Sequence, residues 1–135
     1  NYVLSFEEIM CMLEGKDIKF AEMSGDTAYE RDASKLGLSF PLTAGVSAAV
    51  QDTVAAMGGE VHNAQYCSGL DKCRDTVKAA AEGKLDCSYI EGMACPNGCI
   101  DGPDTVGDFH ITKVALTKYA AAAPNKQVAE DKHTK

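Results

Sequence analysis

The sequence has no tryptophan, few aromatic residues and no apolar run of the length that a membrane span requires. Aromatic residues make up 7% of the 135-residue chain, although 45% of its residues are hydrophobic. A transmembrane helix needs about 20 consecutive apolar residues, and the chain does not open with the basic and apolar segments of a secretory signal. We therefore expect no membrane partner and a cytoplasmic protein.

Positive charge is also scarce. Lys and Arg number 13 against 20 Asp and Glu, which leaves a net charge of -7, and the basic residues form no cluster. Nucleic-acid binding depends on clustered Lys and Arg side chains that neutralise phosphates. The charge balance therefore argues against a nucleic-acid partner.

The length suits one packed core and is too short for two independent ones. The chain starts at Asn1 and moves at once into the apolar residues Tyr2, Val3 and Leu4, so we expect a piece of a longer protein. Its 6 cysteines could form disulfides in a secreted protein, but disulfide-dense scaffolds are usually short of apolar core. Metal or redox chemistry in a reducing compartment is the better interpretation.

Helix starts are marked by side chains that accept hydrogen bonds from free backbone amides. These residues are Ser5, Thr43, Ser68 and Asp108. Glu8 completes a capping box with Ser5, because its carboxylate can accept from the Ser5 amide in return. Gly15 is predicted to end the first helix in the left-handed conformation.

Apolar periodicity predicts the buried face of each longer helix. These faces carry, in chain order, Val46, Ala49, Val50, Val54 and Met57; then Leu70, Cys73, Val77 and Ala81; then Ile111, Ala115, Tyr119 and Ala122. A less regular region is predicted to hold a turn at Ser24 to Asp26, a short helix through Tyr29, Ala33 and Leu36, and a strand or extended chain from Leu38 to Leu42.

Residues 61–67 and 85–90 are predicted strands on either side of the helix that Ser68 opens. This order predicts a parallel crossover unit, whose functional loops lie at the carboxyl ends of the strands. We therefore predict one α/β domain over residues 1–124, with a small, mainly parallel sheet flanked by helices. Residues 125–135 are charged and poor in apolar side chains, which predicts a disordered tail.

Cys95 and Cys99 follow the second predicted strand. Two thiolates with Pro96 and Gly98 between them can converge on one metal centre if the loop folds back and its amides point toward sulfur. The spacing differs from the Cys-x2-Cys of structural zinc, and His110 lies beyond a Gly and Pro break. The alternative is a turn with two structural thiols.

The segment from Met93 to Ile100 is more specific than the cysteine spacing alone. It reads Met-Ala-Cys-Pro-Asn-Gly-Cys-Ile and resembles the Met-Ala-Cys-Pro-Gly-Gly-Cys-Ile motif of the iron-only hydrogenase catalytic domain. Residues 2–8 look like that family's Val-Leu-Thr-x-x-Glu helix start, and residues 43–46 are similar to its Gly-Gly-Val helix entry. The resemblance covers residues 2–123 and implies the C-terminal lobe of the iron-only hydrogenase fold.

In that family the active site is a 4Fe-4S cluster bridged by a cysteine sulfur to a di-iron unit. The resemblance implies that Cys95 ligates the cluster, that Cys99 is the bridging ligand, and that Met93 packs near the di-iron unit, where a soft thioether is suited. An N-terminal lobe of the same parent chain would supply the remaining ligands, and a ferredoxin-like donor the electrons. The implied function is interconversion of protons and hydrogen, or hydrogen sensing, and this piece alone is expected to be inactive.

Two features depart from the hydrogen-producing members of that family. Residues 101–103 read Asp-Gly-Pro in place of a Gly-rich Gln-Pro segment, and Cys67 and Cys73 occur where those members often lack cysteine. The departures suggest a divergent branch, either sensory or of unassigned activity. They leave two alternatives open: a non-catalytic 4Fe-4S module for electron transfer or redox sensing, and a metal-free structural domain.

The other candidate residues have ordinary interpretations. Cys67 and Cys73 could approach each other or the cysteine loop, or be buried as small hydrophobic residues. Burial of that kind is also expected for Cys11 and Cys87. Solvated or surface positions are expected for Glu91, His62 and His110.

Overall fold

The computed structural model of the protein describes residues 1–24 and 33–128. Its helices and strands, in chain order, are α1 (Phe6–Gly15), α2 (Lys35–Leu38), α3 (Gly45–Ala56), β1 (Gln65–Ser68), α4 (Leu70–Ala81), β2 (Ile90–Met93) and α5 (Phe109–Ala121). Short 3-10 turns lie at Phe20–Glu22 and Cys99–Asp101. Most of the turn predicted at Ser24 to Asp26 and the start of the short helix predicted at Tyr29 lie outside the described residues.

The sheet consists, within the described residues, of β1 and β2 paired in parallel. The register sets Gln65 opposite Ile90 and Ser68 opposite Met93, and α4 makes the crossover between the two strands. The predicted α/β fold with a small parallel sheet flanked by helices is therefore confirmed.

Both strands begin later than the sequence predicted. The chain before β1 turns at Asn63, whose φ is 47°. The Asn63 side chain donates to the Asp86 carbonyl at 2.8 Å, and the His62 amide donates to the Ser88 hydroxyl at 3.0 Å. The strand predictions were wrong at these ends because side chains satisfy backbone groups that a ladder would otherwise pair.

Two of the predicted helix starts are confirmed. The Ser5 hydroxyl accepts from the Glu8 amide at 3.2 Å, and the Glu8 carboxylate accepts from the Ser5 amide at 2.8 Å, which completes the capping box. The Asp108 carboxylate accepts from the amides of His110 and Ile111 at the start of α5.

The other two starts, and the end of α1, differ from the prediction. The residue preceding α3 is Ala44 at φ 67° instead of Thr43, and the residue preceding α4 is Gly69 at φ 93° instead of Ser68. Neither offers a side-chain acceptor. Gly15 is still helical, and Asp17 takes the left-handed conformation at φ 55°.

Small side chains form most of the core. Among the described residues, the buried hydrophobic ones are Ala49, Cys67, Ile100, Ala120 and Ala123, and the buried polar ones are Ser34, Ser47 and Glu91. Helix α2 packs against α3 and α5. Because alanine and serine side chains make the close contacts of the core, several large apolar side chains remain on the surface.

The predicted apolar faces of the helices are therefore wrong in part. Met57 is 82% exposed, Leu70 and Ile111 are each 72% exposed, and Val77 and Tyr119 are also on the surface. Periodicity identified the apolar stripes, but in α4 and α5 these stripes do not face the described core. Exposed apolar surface of this kind marks a face available to a partner.

The end of the described chain stays in contact with the fold. The Asn125 carbonyl accepts from the Lys35 amide at 2.8 Å, and the Lys126 ammonium donates to the carbonyls of Ala121 and Ala123. Residues 129–135 of the predicted tail lie outside the described residues. Among the helices of the described ranges, none has the length and apolar character needed to cross a membrane.

Candidate functional site

The loop from Cys95 to Cys99, here called the cysteine loop, follows the carboxyl end of β2. The side chain of Cys95 is half-buried, that of Cys99 is exposed, and Met93 at the strand end is half-buried. The sequence therefore placed the loop correctly relative to the sheet. Both cysteines are free thiols.

Two consecutive residues with positive φ fold this loop back on itself. Asn97 has φ 62° and Gly98 has φ 98°, and the Gly98 amide donates to the Cys95 carbonyl at 3.2 Å. Asparagine is among the side chains that tolerate the left-handed region, whereas the second position has stricter needs. A Cβ atom at Gly98 would collide with the Pro41 carbonyl and lie 2.9 Å from the amide nitrogen of Thr43.

The segment ahead of α3 holds the loop from one side. The Cys99 amide donates to the Pro41 carbonyl at 2.8 Å, and Leu42 forms an isolated antiparallel bridge with Gly98. The predicted extended approach to α3 is thus present at Leu42, although Leu38 belongs to α2. The loop position depends on the place where α3 begins.

Three amides of the loop donate to oxygen atoms, and not to sulfur as the sequence led us to expect. Those of Gly98 and Cys99 donate to backbone carbonyls, and that of Asn97 donates to the Ser68 hydroxyl at 3.0 Å. The Asn97 side chain also donates to the Asp101 carboxylate at 2.8 Å. These bonds make the loop rigid, and any tuning of a bound metal by amide hydrogen bonds would have to involve other donors.

Glu91 provides the missing cap of α3. Its side chain is 8% exposed, and its two carboxylate oxygens accept from the amides of Ala44 at 2.9 Å and Ser47 at 2.7 Å. A carboxylate at a helix N-terminus is favoured because it neutralises the free amides and the positive end of the helix dipole. The expectation that Glu91 is solvated is wrong.

The Glu91 contact links β2 to the loop support. The same strand carries Glu91 and ends at Met93, directly before the cysteine loop. Its carboxylate holds the start of α3, and the residues just before α3 bond to Gly98 and Cys99. The Tyr89 hydroxyl, which donates to the Ser47 carbonyl at 3.0 Å, adds a second tie between these elements.

Cys67 and Cys73 approach each other beside the same strand. Their sulfur atoms are 3.3 Å apart, and Cys67 is buried while Cys73 is half-buried. The hydrogen bond that the Cys73 thiol shares with Cys67, followed by desolvation and the repulsion between two neighbouring thiolates, raises the pKa of Cys73. Mutual approach is confirmed for this pair, and the expected burial is confirmed for Cys67 but not for Cys73.

The remaining candidate residues from the sequence lie outside the cysteine loop. Cys11 is exposed, so its predicted burial is wrong, and Cys87 is half-buried. His62 pairs with Asp86 at 3.1 Å on the surface, and His110 lies against the Phe109 ring at the start of α5. Both histidines are exposed, as expected.

Comparison with known families decides the family of this chain. The family model described as "Iron only hydrogenase large subunit, C-terminal domain" matches residues 1–103. The chain belongs to this hydrogenase family. The matched residues include the capping box of α1, the β1-α4-β2 unit and the whole cysteine loop.

One relative carries a name outside hydrogen metabolism. A cytosolic Fe-S cluster assembly factor of the yeast Scheffersomyces stipitis is 34% identical over 71 residues. The match covers 48% of this chain and 12% of the relative. The chain therefore spans about an eighth of the length of that protein.

The hydrogenase motif fits the observed loop, with one substitution. Asn97 stands where the family motif has glycine, and its positive φ explains why an asparagine is accepted there. Asn97 donates a hydrogen bond to Asp101. Asp101 is the first residue of the Asp-Gly-Pro segment that differs from the hydrogen-producing members. The substituted residue is thus in direct contact with the first residue of the differing segment.

The donor set suits half of an iron-sulfur site. Thiolates are the usual ligands of 4Fe-4S clusters, and Cys95 and Cys99 are two free thiols in one loop. A Cβ atom at Gly102 would lie 3.2 Å from the Cys95 sulfur, so this glycine leaves room beside the thiol. In residues 1–24 and 33–128, no group of three or more His, Cys, Asp or Glu side chains is placed to hold a metal.

Proposed function

We propose that Cys95 and Cys99 ligate a 4Fe-4S cluster in a protein of the iron-only hydrogenase family. The observation that carries the proposal is the folded cysteine loop at the end of β2, with two free and accessible thiols. Its rigid backbone supports this role, because metal ligands bind best when their geometry is set in advance. The Fe-S name of the yeast relative agrees with it.

The finer proposal is that the cluster is joined to a di-iron unit through the Cys99 sulfur. Cys99 is the more exposed thiol, which suits a bridging ligand that must reach a second metal group. Cys95 then serves as a plain cluster ligand, and Met93 packs beside the assembly. When bound, the cluster and di-iron unit supply the electrons and the metal sites for interconverting protons and hydrogen, or for sensing hydrogen.

The remaining cluster ligands are proposed to come from an N-terminal lobe of the same protein. None of the described residues of α1 is buried, and Phe6 and Met12 are 62% and 59% exposed. The outer face of α5 exposes Ile111 and Val114 as well. A second lobe packed on these faces would cover apolar surface and enclose the cysteine loop.

A ferredoxin-like electron donor and a cytoplasmic location complete the proposal. Electron delivery from such a donor is what a hydrogenase-type cluster requires. Oxygen-sensitive clusters and free thiols both suit a reducing compartment, and the yeast relative is named as cytosolic.

A second candidate is an iron-sulfur protein without the di-iron unit, acting in electron transfer, redox sensing or cluster assembly. Asp101 favours it, because this acidic residue and its bond to Asn97 occupy the place of the Gly-rich segment of hydrogen-producing members. The yeast relative, an Fe-S cluster assembly factor by name, also favours it.

Infrared spectroscopy of the intact protein separates the two candidates. The protein is matured anaerobically with hydrogenase assembly factors, and bands of iron-bound carbon monoxide and cyanide are recorded. The hydrogenase candidate predicts such bands and their loss in Cys99→Ser, with Cys87→Ser as the matched control. A 4Fe-4S signal without these bands would contradict the di-iron proposal and support the second candidate.

A further inference from the structure

The Cys67 and Cys73 thiols form a pair that cluster ligation does not use. Cys67 lies in β1 and Cys73 in the first turns of α4, so the strand-to-helix turn brings them together. Their sulfur atoms are 3.3 Å apart. Chain connectivity keeps these residues close, since six positions separate them within one supersecondary unit.

Both thiols face the backbone of β2. The Cys67 thiol lies 3.5 Å from the Glu91 carbonyl, and the Cys73 thiol lies 3.4 Å from the Met93 carbonyl. Between these carbonyls is Gly92, where a Cβ atom would lie 3.5 Å from the Cys73 sulfur and 3.8 Å from that of Cys67. Gly92 is exposed, so a small reagent can approach the pair over a residue that has no side chain.

We propose that Cys67 and Cys73 are a reversible dithiol–disulfide couple, oxidised by low-molecular-weight disulfides of the glutathione class. The disulfide bond length is about 2.05 Å, so the sulfurs must approach by a little over 1 Å, roughly the reach of a small χ1 rotation. Cys73 is the entry point because its side chain is the more accessible of the two.

The exchange proceeds in two steps that balance electrons and protons. The Cys73 thiolate attacks one sulfur of the oxidant, which forms a mixed disulfide and releases one small thiol. The Cys67 thiolate then attacks the Cys73 sulfur, which forms the protein disulfide and releases the second small thiol. Two electrons and two protons pass from the protein to the oxidant, and excess reduced thiol reverses both steps.

Oxidation acts on the strand that leads into the cysteine loop. The two S–H donors are lost, so the Glu91 and Met93 carbonyls lose their sulfur partners. The Met93 carbonyl retains the Gly69 amide at 2.9 Å. The couple therefore places a redox-sensitive contact two residues before Cys95, and it exists whether or not the cysteine loop binds a cluster.

Mass spectrometry of the intact protein tests the couple. The protein is equilibrated anaerobically in glutathione buffers of increasing oxidised fraction, quenched with N-ethylmaleimide and digested with trypsin. Trypsin cleaves after Lys72, between the two cysteines, so their disulfide joins two peptides that otherwise separate. We expect the joined peptide to appear as the oxidised fraction rises and to vanish on addition of dithiothreitol.

Matched variants give this experiment its controls. The joined peptide is expected to be lost in Cys73→Ser and in Cys67→Ser, and to be retained in Cys87→Ser. Circular dichroism identifies any variant that does not fold; Cys73→Ser, at the less buried position, keeps the test available if Cys67→Ser fails. Full labelling of both thiols by N-ethylmaleimide in the most oxidising buffer would overturn the proposal, as would a Cys73–glutathione adduct that never resolves.

Discussion

Replacement of Glu91 by glutamine is expected to destabilise the protein far more than its conservative chemistry suggests. The carboxylate is buried and accepts from the amides of Ala44 and Ser47. Glutamine keeps one oxygen, but its amide group would face the second backbone donor. A buried donor left without a partner costs about 1–3 kcal/mol.

Loss of the negative charge adds to this cost. A partly buried charge at a helix terminus contributes up to about 2 kcal/mol. The two effects overlap, because both concern the same contacts, so we expect Glu91→Gln to lower the free energy of unfolding by about 2–4 kcal/mol. That is a large share of the roughly 5–15 kcal/mol of a typical domain.

Urea denaturation followed by circular dichroism measures this change. With a slope of about 1–3 kcal/mol per molar urea, the midpoint should fall by about 1 M or more. Glu60→Gln is the matched control, since it removes the same charge from an exposed side chain. Equal midpoints for the two variants would refute the argument that Glu91 caps α3.

Two further predictions concern the loop and the thiol pair. Gly98→Ala should lower the free energy of unfolding by about 1–3 kcal/mol more than Gly83→Ala in the same denaturation assay. Both glycines have positive φ, but of the two only Gly98 would bring the new Cβ within 4 Å of backbone atoms. Equal losses of stability would contradict this close approach. The raised pKa of Cys73 means that its thiolate forms at a higher pH than that of an ordinary thiol, so its alkylation rate should still rise with pH where that of an ordinary thiol has levelled off. In Cys67→Ser the pH profile of this rate should move to lower pH. An unmoved profile would contradict the assigned cause.

Local signals in the sequence predicted the parts of the fold that depend on neighbouring residues. The capping box at Ser5 and the Asp108 cap each involve residues within three positions, and their chemistry is visible in the sequence. The β1-α4-β2 unit was also predictable, because its strands are joined by a single helix. The cysteine loop was placed by its motif and by its position after a strand.

Long-range contacts explain what the sequence did not reveal. Glu91 caps a helix whose amides lie 47 and 44 positions away, and no local pattern identifies such an acceptor. Thr43 is a local candidate for that cap, so nothing in the sequence indicates that the free amides of α3 need a distant partner. The apolar stripe of α5 is exposed because the packing contacts are made through Ala120 and Ala123. Periodicity alone does not show which apolar residues make those contacts.

The most direct test of the account is the iron and acid-labile sulfide content of the intact protein, purified anaerobically. In protein produced without the hydrogenase assembly factors we predict about four of each per chain for one 4Fe-4S cluster, a marked loss in Cys95→Ser and in Cys99→Ser, and no change in Cys87→Ser. Circular dichroism of each variant ensures that the loss reflects ligation and not unfolding. Iron and sulfide retained in both Cys95→Ser and Cys99→Ser, or absent from the wild-type protein, would contradict the claim that this loop holds a cluster.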